Sequence, residues 1–89
     1  MSKYLSIIEH YGYTNQCKKL IEEAYEVCES VLTYESLGEE HYLGYIEEEI
    51  ADVNVLLQQL IEYYDLDPVR ILRIQGVKVD RQLRRIADE

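Results

Sequence analysis

The clearest alternation of hydrophobic and polar positions lies between Tyr45 and Ile61. Hydrophobic residues recur there every three or four positions, which predicts a helix with one buried face. The members of this stripe are Ile46, Ile50, Val53, Leu57 and Leu60. Glu49 falls inside the arc of roughly 80° that the stripe spans, and Asp52 lies on its flank. Because a buried carboxylate is costly unless it is paired, protonated or bound to a cation, these two acids predict half of a metal site.

A second amphipathic pattern precedes this one and carries further acids. Its hydrophobic positions alternate in threes and fours over four turns. They are Cys17, Leu20, Ile21, Ala24, Val27, Cys28 and Val31. Spacing places Glu23 at the edge of the stripe, supports an inward-facing Glu26 only weakly and leaves Glu22 exposed. A run of acids like this one is also typical of a solvated helix face.

Capping residues set the expected ends of the first two helices. Ser2 is a suitable N-cap for a short helix that runs through Glu9 or His10, with Gly12 as the stop. Thr14 or Asn15 can cap the second helix, which we expect to end near Tyr34. These signals place two helices in the first third of the chain.

A connection is expected over residues 33–44, because the periodic pattern stops there and two glycines occur. The long helix then resumes at Glu39 or Glu40 and ends near Tyr64. Asp67 as an N-cap directly before Pro68 predicts the start of a last helix.

The last helix is expected to run to about Ala87. Its hydrophobic stripe consists of Leu72, Val79, Leu83 and Ile86. With no strand pattern elsewhere, the chain is predicted to be all-α, a single domain over residues 1–89 folded as an antiparallel helical bundle. Three amphipathic helices carry more apolar surface than an 89-residue monomer covers, so we expect dimerisation to complete the bundle.

The composition agrees with helices, since nearly half of the residues are hydrophobic and only four are Gly and one is Pro. The chain has no stretch of about 18 apolar residues, which a membrane span would require. No signal peptide is recognisable either, so we expect a cytoplasmic protein. Cys17 and Cys28 lie about 16 Å apart on one helix, beyond disulfide reach. We interpret both as small core residues in a reducing compartment.

Acids outnumber bases by 18 to 9, which argues against nucleic-acid binding. The charges are unevenly distributed, because most acids precede residue 66 while most bases follow it. The late bases are Arg70, Arg73, Lys78, Arg81, Arg84 and Arg85. On charge alone, the preferred interpretation is self-neutralisation between helices. An acidic body with a basic arm also suits a protein that holds a metal ion and a polyanion together.

Carboxylates from two packed helices, spaced three residues apart on each, converge on hard divalent cations in helical bundles. Di-iron bundles of this kind use a Glu-x-x-His pair, which neither His10 nor His41 completes. Mg²⁺ or Mn²⁺ is therefore the better match. No glycine-rich phosphate loop and no Ser-His-Asp or Cys-His arrangement is recognisable.

Two segments together resemble a known family. KLIEEAYEV at Lys19–Val27 and EEEIADV at Glu47–Val53 resemble the paired motifs of the MazG-like all-α nucleoside triphosphate pyrophosphohydrolases. Those motifs are Glu-x-x-Glu, usually preceded by another Glu, and then Glu-x-x-Asp. The resemblance covers most of residues 9–86. It extends to weaker elements, which are Gly12 with Gln16 and a Lys-x-x-Arg at Lys78 and Arg81.

The resemblance implies Mg²⁺-dependent hydrolysis of a nucleoside triphosphate, often a deoxy one, to the monophosphate and pyrophosphate. It implies a homodimer or homotetramer in which helices of two chains shape the site. The implied metal ligands are Glu23, Glu26, Glu49 and Asp52. Lys78 or Arg81 would contact the phosphates, and Glu22 is a candidate for positioning the attacking water.

A non-catalytic helical interaction or oligomerisation module is the alternative. In such a module the acids serve solubility and the basic arm docks an acidic partner. Glu22, Glu23 and Glu47 are good helix formers that plain solvation also explains. Glu49 distinguishes the two hypotheses, because a scaffold has no need for a carboxylate among buried hydrophobic positions.

Overall fold

The computed structural model describes residues 2–89, which form four helices and no strand. The helices are α1 (Lys3–Tyr11), α2 (Tyr13–Leu37), α3 (His41–Tyr63) and α4 (Pro68–Ala87). The all-α prediction is thus confirmed. No helix within these residues has the length and apolar character needed to cross a membrane.

The first helix begins at the predicted N-cap and ends one or two residues later than predicted, at Tyr11 directly before Gly12. The Ser2 hydroxyl accepts a hydrogen bond from the backbone N–H of Leu5, which makes Ser2 the N-cap of α1. Gly12 ends the helix with a φ of 93°, a conformation that residues with a side chain rarely adopt. The same glycine precedes α2 directly, so the prediction that Thr14 or Asn15 caps α2 is wrong. The Asn15 side chain instead donates to the carbonyl of Tyr11.

The connection between α2 and α3 is much shorter than the pattern predicted. α2 continues to Leu37, and the Thr33 hydroxyl bonds back to the Glu29 carbonyl within the helix. Gly38, in the left-handed region with a φ of 67°, ends α2. Gly44 lies inside α3, so only the first of the two glycines interrupts helical structure.

The turn into α4 follows the sequence signals closely. The Asp67 carboxylate accepts hydrogen bonds from the backbone N–H groups of Val69 (3.0 Å) and Arg70 (3.2 Å). Pro68 is the first residue of the helix, where its missing N–H costs nothing. Asp65 has a φ of 52°, a left-handed conformation that Asp tolerates better than most residues.

Helices α2 and α3 pack along their length as an antiparallel hairpin, and α1 packs against both. The N-terminus of α1 is held to the end of α3, because the Ser2 hydroxyl donates to the Glu62 carboxylate. The buried side chains of this body are Ile8, Gln16, Leu56 and Gln59. Two of the four are amides, so the body has a polar element at its centre.

The buried face of α3 differs from the predicted stripe. Leu56 is 4% exposed and Gln59 1%, whereas Ile50 and Leu57 are more than 40% exposed. Positions 46, 49, 53, 56 and 60 therefore form the inward face, in a regular alternation of three and four, and the buried Gln59 lies beside them. Glu49 belongs to that inward set, and the exposed Ile50 and Leu57 form a second apolar edge beside it.

The buried face of α2 also differs from its predicted stripe. Its inward positions are Gln16, Leu20, Glu23, Val27 and Ser30, while Ile21 is 71% exposed. Cys17 is partly exposed and Cys28 is exposed, and both are free thiols. The interpretation of Cys28 as a core residue is wrong, because the predicted stripe mixed inward positions with a second apolar face.

The chain is extended for its length. Its radius of gyration is 16.3 Å, whereas a compact chain of 89 residues is expected to have about 12 Å. Helix α4 packs along no other helix and exposes most of its apolar side chains. A single copy of the described residues therefore leaves substantial apolar surface uncovered.

Candidate metal centre

A buried amide pair sets the register of α2 against α3. The Gln16 side-chain nitrogen donates to the Gln59 side-chain oxygen over 2.9 Å, and both side chains are buried. A shift of either helix by one turn would separate these amides and leave each buried without its partner. The pair thereby favours one alignment of the hairpin.

That register brings the two acidic motifs together. Glu23 lies seven residues after Gln16 on α2, and Asp52 lies seven residues before Gln59 on the antiparallel α3. Seven residues are about two helical turns on each helix, so Glu23 and Asp52 share a layer. Three residues further along each helix, Glu26 and Glu49 share the next layer.

Two carboxylate oxygens in these layers are buried without a hydrogen-bond partner. They are one oxygen of Glu23 and one of Glu49, and no donor reaches either within residues 2–89. Leaving such an acceptor buried and unsatisfied is unfavourable. The prediction that Glu23 and Glu49 face inward is confirmed, and each has a buried carboxylate oxygen to which a donor, a proton or a cation could bind.

Electrostatics also connect three of the acids. Burial is the main cause that raises the pKa of Glu23, and the nearby charges of Glu26 and Asp52 raise it further. Lys19 opposes this effect, with its ammonium nitrogen 3.8 Å from a Glu23 oxygen. One lysine against several carboxylates leaves the cluster negative.

The donor set fits a hard divalent cation. All four candidate ligands are carboxylates, and Mg²⁺ and Mn²⁺ prefer oxygen ligands. No three carboxylate, imidazole or thiol groups in residues 2–89 converge into a ready-made cage. Without a cation, ionised carboxylates that face one another repel and stay apart. Their side chains would have to rotate toward a bound cation to close the site. The two unsatisfied oxygens are the groups that such a cation would satisfy.

The other predicted residues are more accessible. Glu26, Asp52 and Glu22 are exposed, so the cluster has an open side toward solvent. Spacing alone supported Glu26 weakly, and its exposure agrees with that, although its interaction with Glu23 places it beside the cluster.

A cavity of about 640 Å³ adjoins the cluster. Glu22, Glu23 and Asp52 line its acidic end, and Lys18 and Lys19 lie along its wall. The rest of the wall is formed by α1 and the first turns of α2, together with the end of α3. It is therefore bounded by all three helices of the body.

The far end of this cavity is rich in amide and aromatic groups. Asn15, Gln16 and Gln59 contribute amides, and Tyr11 contributes a ring. Sequence reasoning missed Lys19 and Gln59 as lining residues. Lys19 was detectable from its position four residues before Glu23, whereas Gln59 required knowledge of which face of α3 is buried.

Lys78 and Arg81 are not brought to the acidic cluster within this chain. Both are exposed on α4, and neither has an ion-pair partner within residues 2–89. Across those residues the contacts between basic and acidic side chains are Lys19 with Glu23 at 3.8 Å and the His41 imidazole with Glu39 at 3.6 Å. The interpretation that the basic arm neutralises the acidic body is therefore not supported by any ion pair within residues 2–89 of one copy.

Compared with protein-family models, with curated proteins and with solved structures, the chain has no significant match. The functional argument thus depends on the residues and the geometry described above.

Proposed function

We propose that this protein is a Mg²⁺-dependent nucleoside triphosphate pyrophosphohydrolase, which converts an NTP or dNTP to the monophosphate and pyrophosphate. The observation that carries the proposal is the pair of buried, unsatisfied carboxylate oxygens on Glu23 and Glu49, within two acidic layers of facing helices. The resemblance of the paired acidic motifs to MazG-like enzymes supplies the reaction class.

Four carboxylates would hold the metal, with Mn²⁺ as a possible substitute for Mg²⁺. These are Glu23, Glu26, Glu49 and Asp52. A cation held there would neutralise charge on the triphosphate and would make a water more acidic. Glu22, whose exposed carboxylate lines the cavity, would orient the attacking water and accept its proton. Lys18 and Lys19 add positive charge on the same wall, which favours a polyanionic substrate.

The cavity offers a place for the nucleoside beside the acids. Its volume is within the usual range of small-molecule sites, about 300–1,000 Å³. Amides such as Asn15 can both donate to and accept from a base edge, and the Tyr11 ring can pack against a base. With the phosphates near the carboxylates, the base would extend toward α1.

A homodimer or homotetramer is part of the proposal. The large radius of gyration and the uncovered apolar faces support an assembly. Lys78 and Arg81 would contact phosphates only if α4 of the same or a second chain approaches the cluster.

The non-catalytic interaction module remains the second candidate. The observation that favours it is α4 itself, whose apolar residues are exposed. A module of this kind would bind a partner through α4 and would need neither Glu49 nor a divalent cation.

A ³¹P NMR screen of all common NTPs and dNTPs, with Mg²⁺ and with Mn²⁺, tests the proposal. We expect at least one substrate to give pyrophosphate and a monophosphate in equal amounts. Glu49→Gln should be inactive, and the matched control Glu48→Gln on the exposed side of α3 should keep its activity. Release of orthophosphate alone, or no turnover of any substrate by the wild type, would contradict the proposed reaction.

A further inference from the structure

The outward face of α4 has a regular coiled-coil spacing. Its positions alternate in threes and fours and correspond to the a and d sites of a heptad. They are Val69, Leu72, Gly76, Val79, Leu83 and Ile86. The five side chains among them are each 56–66% exposed, so nothing in residues 2–89 covers this seam.

The seam points away from the body of the chain. Ile71 and Ile74, the half-buried residues of α4, lie on the other side of the helix from the seam. Lys78 and Arg81 continue the line of these two isoleucines and also lie outside the seam. An occupant of the seam therefore leaves the basic face of α4 uncovered.

The seam is complementary to itself when two copies run antiparallel. In that alignment Val69 meets the partner's Ile86, and Leu72 meets the partner's Leu83. Gly76 meets the partner's Val79, so a position without a side chain faces a branched one. A parallel alignment would instead place two glycines opposite each other and leave a gap in the seam.

The charges beside the seam agree with the same alignment. Arg73 and Asp80 are the charged residues at the e sites, which face one another across an antiparallel pair. Arg73 of each copy lies about two residues' rise, roughly 3 Å, from the axial level of the partner's Asp80, and the two-fold axis makes this contact twice. The g sites carry Gln75 and Gln82, which introduce no like-charge contact. Neither Arg73 nor Asp80 has an ion-pair partner within residues 2–89.

We infer that α4 is the self-association surface of this protein and that the occupant of its seam is α4 of a second copy, packed antiparallel. This deepens the oligomeric part of the proposed function by naming its interface. The inference requires neither metal nor turnover, so metal-free protein tests it. Its failure leaves the hydrolase proposal intact, and inactivity of the enzyme leaves the interface intact.

Sedimentation velocity of the metal-free full chain at micromolar concentration gives the first test. Leu83→Asp places a charge in the seam, and because Leu83 is exposed the monomer should keep its helical circular dichroism. We expect the wild-type mass to be a multiple of the chain mass and to fall at least twofold in the variant. A wild-type monomer, or an unchanged mass in Leu83→Asp, would overturn the inference.

A charge-reversal cycle tests the antiparallel alignment. Arg73→Asp and Asp80→Arg each create two like-charge contacts, and we expect each to weaken association about tenfold. The double variant restores both contacts in swapped form and should return to within about threefold of the wild type. Arg85→Asp, on the opposite face and with the same change in charge as Arg73→Asp, is the matched control. If the double variant associates as weakly as the single variants, or if Arg85→Asp has the same effect as Arg73→Asp, the antiparallel pairing is wrong.

Discussion

The α2–α3 hairpin and α4 carry opposite charges, and their charged side chains differ in burial. In the hairpin, acids occupy inward positions, where Glu23 and Glu49 each keep an oxygen buried and unsatisfied. In α4, the bases lie on an exposed helix that packs along no other. Two regions that would neutralise each other form no ion pair within residues 2–89.

This difference indicates that the hairpin acids serve something other than internal charge balance. Burying a carboxylate without a partner costs stability, and exposed glutamates would provide solubility without that cost. A ligand that supplies positive charge removes the penalty. In α4, by contrast, exposed bases cost little, and the uncovered apolar seam is the feature that needs an explanation.

The strongest test of the hairpin is Glu49→Gln. Removing a metal ligand should lower turnover by at least about 100-fold, while the metal-free fold stays equally stable or becomes more stable because a buried charge is lost. Asp52→Asn should behave similarly. Steady-state kinetics and urea denaturation measure the two effects, with Glu48→Gln as the exposed control. A Glu49→Gln enzyme with near-normal turnover would remove this residue from the metal site.

Core substitutions compare the packing of the two regions. Leu56→Ala should lower the free energy of unfolding by about 2–4 kcal/mol, because Leu56 is almost fully buried in the body. Leu72→Ala on α4 should cost less than about 1 kcal/mol in the monomer, since Leu72 is largely exposed there. Urea denaturation at a concentration low enough to keep the chain monomeric measures both. Equal costs would mean that α4 packs against the body in solution.

The basic residues are expected to have smaller effects, mainly on KM. If Lys78 and Arg81 contact the phosphates, Lys78→Ala and Arg81→Ala should each raise KM roughly three- to tenfold, whereas Arg85→Ala should not. Lys19→Ala provides the comparison with the hairpin, because Lys19 lines the cavity. Kinetics at two ionic strengths separate direct contacts from screened, long-range attraction. If Lys19→Ala alone raises KM, the phosphate anchor lies on the hairpin and not on α4.

The smallest expected effect is the pH dependence due to Glu23. Its raised pKa means that the folded chain keeps this proton to a higher pH than the unfolded chain does. Stability should therefore fall as the pH rises from the ordinary Glu value through the raised one, and the penalty should be absent below the ordinary value. Glu23→Gln should remove this fall. Urea midpoints without divalent cations, from about pH 4 to about pH 7, measure it. A wild-type-to-variant difference that does not change with pH would contradict the shift.

The sequence predicted the helices better than the faces they bury. Ser2, Gly12 and Asp67 act locally through their own backbone and side chains, so their capping roles are readable from the sequence. No capping residue near Thr33 marks the end of α2. That end depends on Gly38, and not Gly44, adopting a positive φ. The faces of α2 and α3 were predicted with errors because each helix has two apolar edges, of which only one packs inside a single chain.

The sequence alone could group the candidate ligands within each helix but could not show how the two helices align. The spacing of Glu49 and Asp52 on one helix indicated a cation site before any tertiary information. Pairing them with Glu23 and Glu26 depended on the register of α2 against α3, which the buried Gln16–Gln59 hydrogen bond sets. The hydrophobic pattern gave no information about that pair, because both residues are polar and were assigned to no buried stripe.

The most direct test of the metal centre is a thermal melt of the wild type and of Glu49→Gln, each with and without millimolar Mn²⁺ or Mg²⁺. A cation that binds the folded chain stabilises it through linkage, by about 2.7 kcal/mol at a concentration 100 times its dissociation constant. We predict that the cation raises the Tm of the wild type and leaves the Tm of Glu49→Gln nearly unchanged. A wild-type Tm that does not respond to either cation, or an equal rise in both proteins, would contradict the assignment of these carboxylates to a metal site.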